Sequence, residues 1–592
     1  MLKAPRTFPV APLALPLLLL AVGLAGCLSD DDGGDGAASD LAAGLREGLT
    51  QPIYEVLGHF EATFDGTLGT QLYVDYYLPT GVHEDGVPTI LKFTPYQDPD
   101  LPEGDGGEGE GPLPLEDPPY SASLVEYFVP RGYAVAFADV RGNHNAGGCI
   151  DQTGPEQWQD GYDYVEWLAA QDWSNGNVGM HGASYDGETQ FTTAMMDPPG
   201  LKTIVPVASV SNQYDWSFYR GVPYELQPTL GMVSYLAGSV VPSTDPENAL
   251  LYPEKLECQQ EAMAAGLDHS GDRTDFWAER DYRPMAANIT ASVLHVHGFA
   301  DWNVRPIHID PLFNDIQSEK RGLFGQWRHA YPDREDWDGL LNAWYDHFLL
   351  GRDNGILDIL PPVLVEDDTE QWWGHEAFPP LDQPWLPLEL GADGVLSAPG
   401  DAAAAAGDLE IVDYPEEVLS NLGLTNVEGD GVVLDAPDSL TFTWKTDQEL
   451  RLLGRPYLEL NLTTDTTSTH WAAVLSVDGH ACQLNGGGQA VCTNAGYQDT
   501  RHRDGEGSPS DLTPDERYPL RIDFYPQYDV IPAGATLRLT LSNNTPDITQ
   551  DPTFARSLVH LGDGGAVLHL PLDPGGVPLP HDELPGAGHL TS

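Results

Sequence analysis

The stretch Gly179-Met180-His181-Gly182-Ala183-Ser184-Tyr185-Asp186-Gly187 sets one hydroxyl among small residues. The flanks predict a strand before it and a helix after it. A serine hydroxyl is a weak nucleophile at neutral pH. It needs a base to take its proton and donors to hold the oxyanion that forms on the attacked carbonyl. A nucleophile elbow places serine on such a strand-to-helix turn, with glycines where the backbone is crowded. The usual spacing is Gly-x-Ser-x-Gly; here Asp186 takes the place of the second glycine and Gly187 follows it. The pattern alone arises by chance in a chain of ordinary glycine content, so its weight comes from context. The partners of such a serine follow in the order acid, then histidine, on loops after later strands. Asp301 lies just past the strand 292–298, and His329 lies beyond the next expected strand. Both fall at carboxyl ends of strands, where ligands gather in open α/β sheets. Each has a plainer reading: a turn serine, a helix N-cap, one loop histidine among 18. Their joint order and placement favour catalysis. His295 and His297 lie inside a strand and read as structural.

The elements that must position these residues alternate over residues 51–350. The runs 89–95, 133–140, 177–182, 202–209 and 292–298 are apolar, short and bounded by Gly, Pro or Asp, as buried strands are. Residues 160–172 put Tyr164, Val165, Leu168 and Ala169 on one helical face. Strand and helix in turn predict a mostly parallel sheet covered on both faces. From about 210 to 288 the alternation stops, and Tyr, Trp, Leu and Met suggest a helical cap inserted over the strand ends. Past residue 356 the pattern becomes two-residue alternation broken by Gly, Pro, Asp and Asn, which predicts an antiparallel β-sandwich over 357–592. The Gly/Pro-rich acidic run 98–119 reads as a solvated loop, and the alanine run at 400–405 as a loop or short helix.

The chain has 592 residues, with 91 acidic against 27 basic and a net charge of −64. Such a surface repels phosphate backbones and excludes a nucleic-acid partner. It also stays hydrated in brine, so a high-salt setting is expected. The N-terminus has Lys3 and Arg6 before an apolar run to Leu24, too short and Pro-broken to span a membrane. Residues 1–27 therefore read as an export signal. Leu24-Ala25-Gly26-Cys27 resembles a lipobox, which makes Cys27 the lipidated residue, with 28–50 as an acidic tether. An exported protein held on the outer face of the membrane by that anchor, or secreted, is expected. Export permits disulfides. Cys482 and Cys492 flank a Gly-rich hairpin and could bridge it, which leaves Cys149 with Cys258. There is no Cys-x-x-Cys and no His-Glu-x-x-His, so neither a metal nor another cofactor is expected.

Together the stretches FTPYQD (93–98), ADVRGNHNAGG (138–148), GMHGASYDG (179–187), SNQYDWSFYRG (211–221), HGFADWNVRP (297–306), LFGQWRH (323–329) and YDVIPAGATLRLTLS (528–542) resemble the X-Pro dipeptidyl-peptidase and cocaine-esterase-like serine hydrolases. The resemblance implies an α/β-hydrolase core at 51–356 with a helical cap, followed by a C-terminal jelly-roll. It makes Ser184 the nucleophile, His329 the base and Asp301 the acid that orients it. It adds an oxyanion hole built from the backbone N–H of Tyr185 and the phenol of Tyr96. The family's arginine-glycine turn usually continues to a serine, and Cys149 stands near that place here, in keeping with a bridge to Cys258. The substrate is a small peptide with a free amine, for which Asp215 or Glu225 is the anchor, or else a carboxylic ester. An inactive surface binding protein is the reading from another class; the intact Ser184, Asp301 and His329 argue against it.

Overall fold

The computed structural model describes residues 49–579 except 82–84, 97–119, 225–254, 256, 259, 261–269, 330, 333, 335, 414–438, 478–482, 485–489, 492–493, 544–547, 549–553 and 563–564. Cys27, Glu225, Cys482, Cys492 and the whole acidic run 98–119 lie outside the described residues. The turn-flanking pairs Gln483–Leu484 and Ala490–Val491 do form the hairpin expected between the last two cysteines.

One sheet of eleven strands organises the first half of the chain. Its strands are β1 (Val56–Asp65), β2 (Gln71–Pro79), β3 (Val87–Thr94), β4 (Ala134–Asp139), β5 (Ser174–Ala183), β6 (Leu201–Val207), β7 (Ser292–Gly298), β8 (Lys320–Gly325), β9 (Val363–Glu366), β10 (Trp372–His375) and β11 (Val577–Leu579). They lie in the order β1-β2-β4-β3-β5-β6-β7-β8-β9-β10-β11. The run from β4 to β9 is parallel, and the flanking pairs are antiparallel. Alternate residues of the apolar strands serve opposite faces. Leu91, Met180, Ile204 and Val293 pack under helices α1 (Pro155–Ala169) and α2 (Tyr185–Met195). Their neighbours Ile90, Val205 and Leu294 pack under α3 (Trp337–Leu350). This is the α/β-hydrolase arrangement.

The expected boundary after residue 356 does not coincide with the edge of this sheet. Strands β9 and β10 continue it to His375, and β11 returns from the far end of the chain to pair with β10. The strand periodicity cannot show this, because a short strand looks the same whichever sheet it joins. Between β10 and β11 lies the sandwich. Its seven-stranded sheet centres on Tyr457–Thr464, which pairs with Arg517–Asp523, Ala555–Leu561 and Ala566–Pro571. A four-stranded sheet runs Ser439–Lys445, Thr536–Ser542, His470–Val477, Asn494–Asp499. Leu458, Leu460 and Leu462 alternate inward to meet Phe442, Trp471, Leu539 and Leu541. The alanine run at 400–405 is loop.

Much of the expected cap, about 210–288, lies outside the described residues, and its described part includes helical residues at Lys255, Glu257, Cys258 and Gln260. It holds short helices at Gln213–Ser217 and Asp275–Ala278 and a 3-10 turn at Arg283–Asn288. Its hairpin, Phe218–Tyr219 against Val222–Pro223, packs Tyr219, Val222 and Tyr224 onto Ala472, Val474 and Tyr497 of the sandwich. The sandwich therefore props the cap from the side.

Candidate active site

Ser184 follows β5 directly and opens α2. Its φ of 62° and ψ of −125° are strained for a side-chain-bearing residue, as a nucleophile elbow requires. Its N–H donates to Val207 O at 3.0 Å, which pins the turn to the end of β6. The glycines around it answer to close approaches. A Cβ on Gly182 would stand 2.4 Å from Asp186 Cβ, and one on Gly187 would stand 2.7 Å from Val207 O. Gly187 thus does the work of the displaced second glycine, letting α2 settle onto β6.

Asp301 sits in the turn after β7 and is buried. One carboxylate oxygen accepts the N–H groups of Asn303 and Val304, both at 2.9 Å. The other meets His329 Nδ1 at 2.8 Å. Asp301 therefore caps its own turn, rather than a helix, while its other oxygen reaches His329. His329 follows β8. Burial would lower its pKa, but the Asp301 carboxylate and its hydrogen bond outweigh that and raise it above the usual 6.5. His297 Nε2 lies 3.8 Å from the same Asp301 oxygen and 2.8 Å from Val304 O. It supports the acid's turn from inside the strand, in line with a structural histidine. His295 is buried among Phe191, Phe313 and Phe324.

Three strand spacings separate the ends of β5 and β8, so loops must close the gap. The Ala300 N–H donates to Trp327 O at 3.1 Å, joining the acid and histidine loops. Tyr331, two residues past His329, stacks on His181 of β5 with ring centres 5.5 Å apart. That contact carries the His329 loop back over the strand that delivers Ser184.

Tyr96 lies beyond β3. Its ring meets the Tyr185 ring edge-on at 6.4 Å. The Ser184 side chain and the Tyr185 backbone N–H both act on its hydroxyl, favouring the ionised phenol, so that hydroxyl lies beside the elbow. The preceding residue is held by the arginine-glycine loop: His144 Nε2 lies 3.1 Å from Pro95 O. Lys255 of the cap in turn donates to His144 O at 2.9 Å. The same loop begins with Arg141, buried and forked onto Asp160 at 2.6 and 2.9 Å. It ends at Cys149, which bridges to Cys258 with Cα atoms 5.4 Å apart.

Asp215 is held at the start of the cap. The Asn212 side chain donates to it at 2.6 Å and Arg283 at 2.9 Å. Glu506, from the sandwich, joins this group. Burial and the Asp215 charge push Glu506 up to about 7. Sequence reasoning missed Glu506, Arg283 and a buried carboxylate on α2, Glu188. Glu188 accepts from Gln213 Nε2 at 2.6 Å and from the Tyr282 hydroxyl, and burial raises it to about 7. Nothing in their spacing signals a partner tens to hundreds of residues away. Among the described residues one group, His59, Glu61 and Asp75, gathers donor atoms suited to a cation within 4.8 Å. It lies on the outer hairpin β1–β2, and His59 already hydrogen-bonds Asp75 at 2.7 Å.

The fold and this constellation define a serine hydrolase of α/β-hydrolase type with an appended β-sandwich. Two family models match in chain order: the X-Pro dipeptidyl-peptidase (S15 family) model over residues 65–331, and the X-Pro dipeptidyl-peptidase C-terminal non-catalytic domain over 354–556. The two matches together run along most of the chain, which is thus similar in both halves to the X-Pro dipeptidyl-peptidases. It is 28% identical over 570 residues to a Bacillus cereus protein assigned as a Xaa-Pro dipeptidyl-peptidase, covering 87% of this chain and 91% of that one. It is 25% identical over 494 residues to the Xaa-Pro dipeptidyl-peptidase of Lactobacillus delbrueckii subsp. lactis, covering 73% of this chain and 62% of that one. Its fold is similar to that of a CocE/NonD family hydrolase from Staphylococcus aureus, with a TM-score of 0.67 at 20% identity over 89% of this chain and 98% of that one.

Proposed function

We propose that the chain is an exported X-Pro dipeptidyl-peptidase that works through an acyl-enzyme on Ser184. The observation that carries this reading is the 2.8 Å Asp301–His329 pair at the same carboxyl end of the sheet as a strained Ser184. In this mechanism Ser184 Oγ attacks the scissile carbonyl and His329 Nε2 takes its proton. The Tyr185 N–H and Tyr96 O–H hold the oxyanion; a neutral phenol does so without adding charge. His329 then protonates the leaving amine, the C–N bond breaks, and water repeats the sequence on the ester to free Ser184. A cap carboxylate, Asp215 or Glu225, anchors the substrate's free ammonium. The basic start, apolar run and Leu24-Ala25-Gly26-Cys27 support export with a lipid anchor at Cys27.

The second reading is a carboxylic-ester hydrolase. It is favoured by one observation: Arg283 already balances Asp215, so a substrate amine would have to share that carboxylate.

The test uses the chain from Leu28 onward with Ala-Pro-p-nitroanilide, its N-acetylated form and p-nitrophenyl butyrate. The peptidase reading expects release from the free-amine anilide, at least tenfold less from the acetylated one, and none with Ser184→Ala. Cleavage of the butyrate alone would replace it with the esterase reading.

A further inference from the structure

Asp186 occupies the position where the commoner elbow has glycine, and it is 2% exposed. Its carboxylate meets Lys92 Nζ at 3.1 Å, and Lys92 and the Thr94 side chain both favour its charged form against burial. Both donors of the oxyanion hole hang on this contact. Asp186 directly follows Tyr185, which supplies one N–H. Lys92 and Thr94 end β3, and Tyr96 follows two residues later. Thr94 Oγ1 accepts the Tyr96 N–H at 3.1 Å. One buried ion pair thus ties the strand carrying the phenol to the helix start carrying the N–H.

We propose that the Lys92–Asp186 pair positions the oxyanion hole, holding the Tyr96 hydroxyl and the Tyr185 N–H on one point and leaving that point free of net charge. This rests on the reading of Ser184, Tyr96 and Tyr185 given above. A lone carboxylate this close would repel the developing oxyanion; the Lys92 ammonium cancels it. The pair is poorly suited to a purely stabilising role, because removing both charges of a buried pair together is often neutral, whereas removing one is costly. Asp186 also acts on Tyr96 directly. Tyr96 is 53% exposed as a whole, but the enclosure of its hydroxyl end, then the Asp186 charge with a smaller part from Glu188, keep the phenol protonated, while the Ser184 side chain and the Tyr185 N–H oppose this. Loss of the Asp186 charge therefore makes the phenol more acidic.

The experiment compares Lys92→Met, Lys92→Arg, Asp186→Asn and the double variant Lys92→Met/Asp186→Asn on whichever substrate the wild type turns over. It reads kcat, KM, the alkaline limb of kcat and the thermal melt. Lys92→Met is expected to lower kcat at least about tenfold with KM within about twofold. The double variant regains most of that loss, and Lys92→Arg stays near wild type. Asp186→Asn moves the alkaline limb to lower pH. Should Lys92→Met fail to fold, the Asp186→Asn limb and the double variant still decide. A double variant as slow as the Lys92 single variant, a loss confined to KM, or an unmoved alkaline limb would overturn the inference. Tyr96→Phe separates the two levels. If it leaves kcat intact, the oxyanion-hole reading itself fails. If it lowers kcat while the Lys92 and Asp186 variants do not, only this inference fails.

Discussion

At the residue scale, the proposed mechanism turns on one bond: His329 Nδ1 to Asp301 Oδ2 at 2.8 Å. The base must be neutral to accept the serine proton, so activity rises as pH passes upward through the His329 pKa. Asp301 holds that pKa above 6.5. Asp301→Asn is therefore expected to move the acid limb of kcat/KM to lower pH while lowering its plateau by roughly 10³–10⁴-fold. A limb that stays in place would show that Asp301 does not face the base. The shift has a stability consequence of definite sign. The protonated pair stabilises the fold below the unfolded imidazole value, and the contribution fades as pH rises through the raised folded value. Tyr96→Phe removes a donor without changing shape and is expected to cost kcat about 10²–10³-fold with little change in KM. The elbow at Ser184 and the pairing of Asp301 with His329 were legible as geometry because type, order and placement at strand ends all pointed one way. The place of Tyr96 beside Tyr185 was suggested only by the family resemblance, since a tyrosine after a strand is ordinarily a packing residue. Lys92 and Asp186 were not legible: a lysine in an apolar run says that it has a partner, not that the partner lies 94 positions on.

At the element scale, the site depends on a sharp turn and on a propped cap. The Gly182→Ala variant puts a methyl group where Asp186 Cβ stands and imposes a side chain at a φ of 149°. The turn must shift, so activity is expected to fall more steeply than the melting temperature; equal activity in a folded Gly182→Ala protein would refute the crowding argument. The cap is fastened to the core by Cys149–Cys258 and to the sandwich by the Tyr219 hydroxyl, which donates to Asp523 O at 2.9 Å. The bridge spans 109 positions, so its removal by paired serine substitutions should cost about 4–5 kcal/mol of stability in the chain-entropy picture. A melt unchanged by those substitutions would contradict it. The parallel strands were readable because buried strands in such sheets are continuous apolar runs bounded by turns. The cap's contact with the sandwich was not, because nothing in the spacing of Tyr219, Val222 and Tyr224 points to Ala472, Val474 and Tyr497.

At the scale of the whole molecule, the two halves are one structure. Strand β11 leaves the sandwich to finish the hydrolase sheet, and Arg451 of the sandwich pairs with Asp367 beyond β9 at 2.6 Å. The sequence division near residue 356 marks where composition changes, while hydrogen bonding crosses it, because backbone pairing is chosen by geometry that composition does not carry. The charge of −64 acts on everything at once. Carboxylates crowd one another across the surface, and salt screens that repulsion within a Debye length. The melting temperature is expected to rise by several degrees between about 0.1 M and 1 M NaCl, where the Debye length falls from about 10 to 3 Å. A flat or falling melt would mean that the acidic surface is not limiting and would remove the reason to associate this protein with brine.

The central claim is that Ser184 is the nucleophile activated by His329 under Asp301. A serine-directed fluorophosphonate tests it most directly: it reacts only with an activated hydroxyl and leaves a covalent mark that peptide mass spectrometry can place. The account predicts a single adduct on Ser184, abolished by Ser184→Ala and strongly slowed by His329→Ala. An unlabelled protein that is folded, or an adduct on another serine, would contradict it.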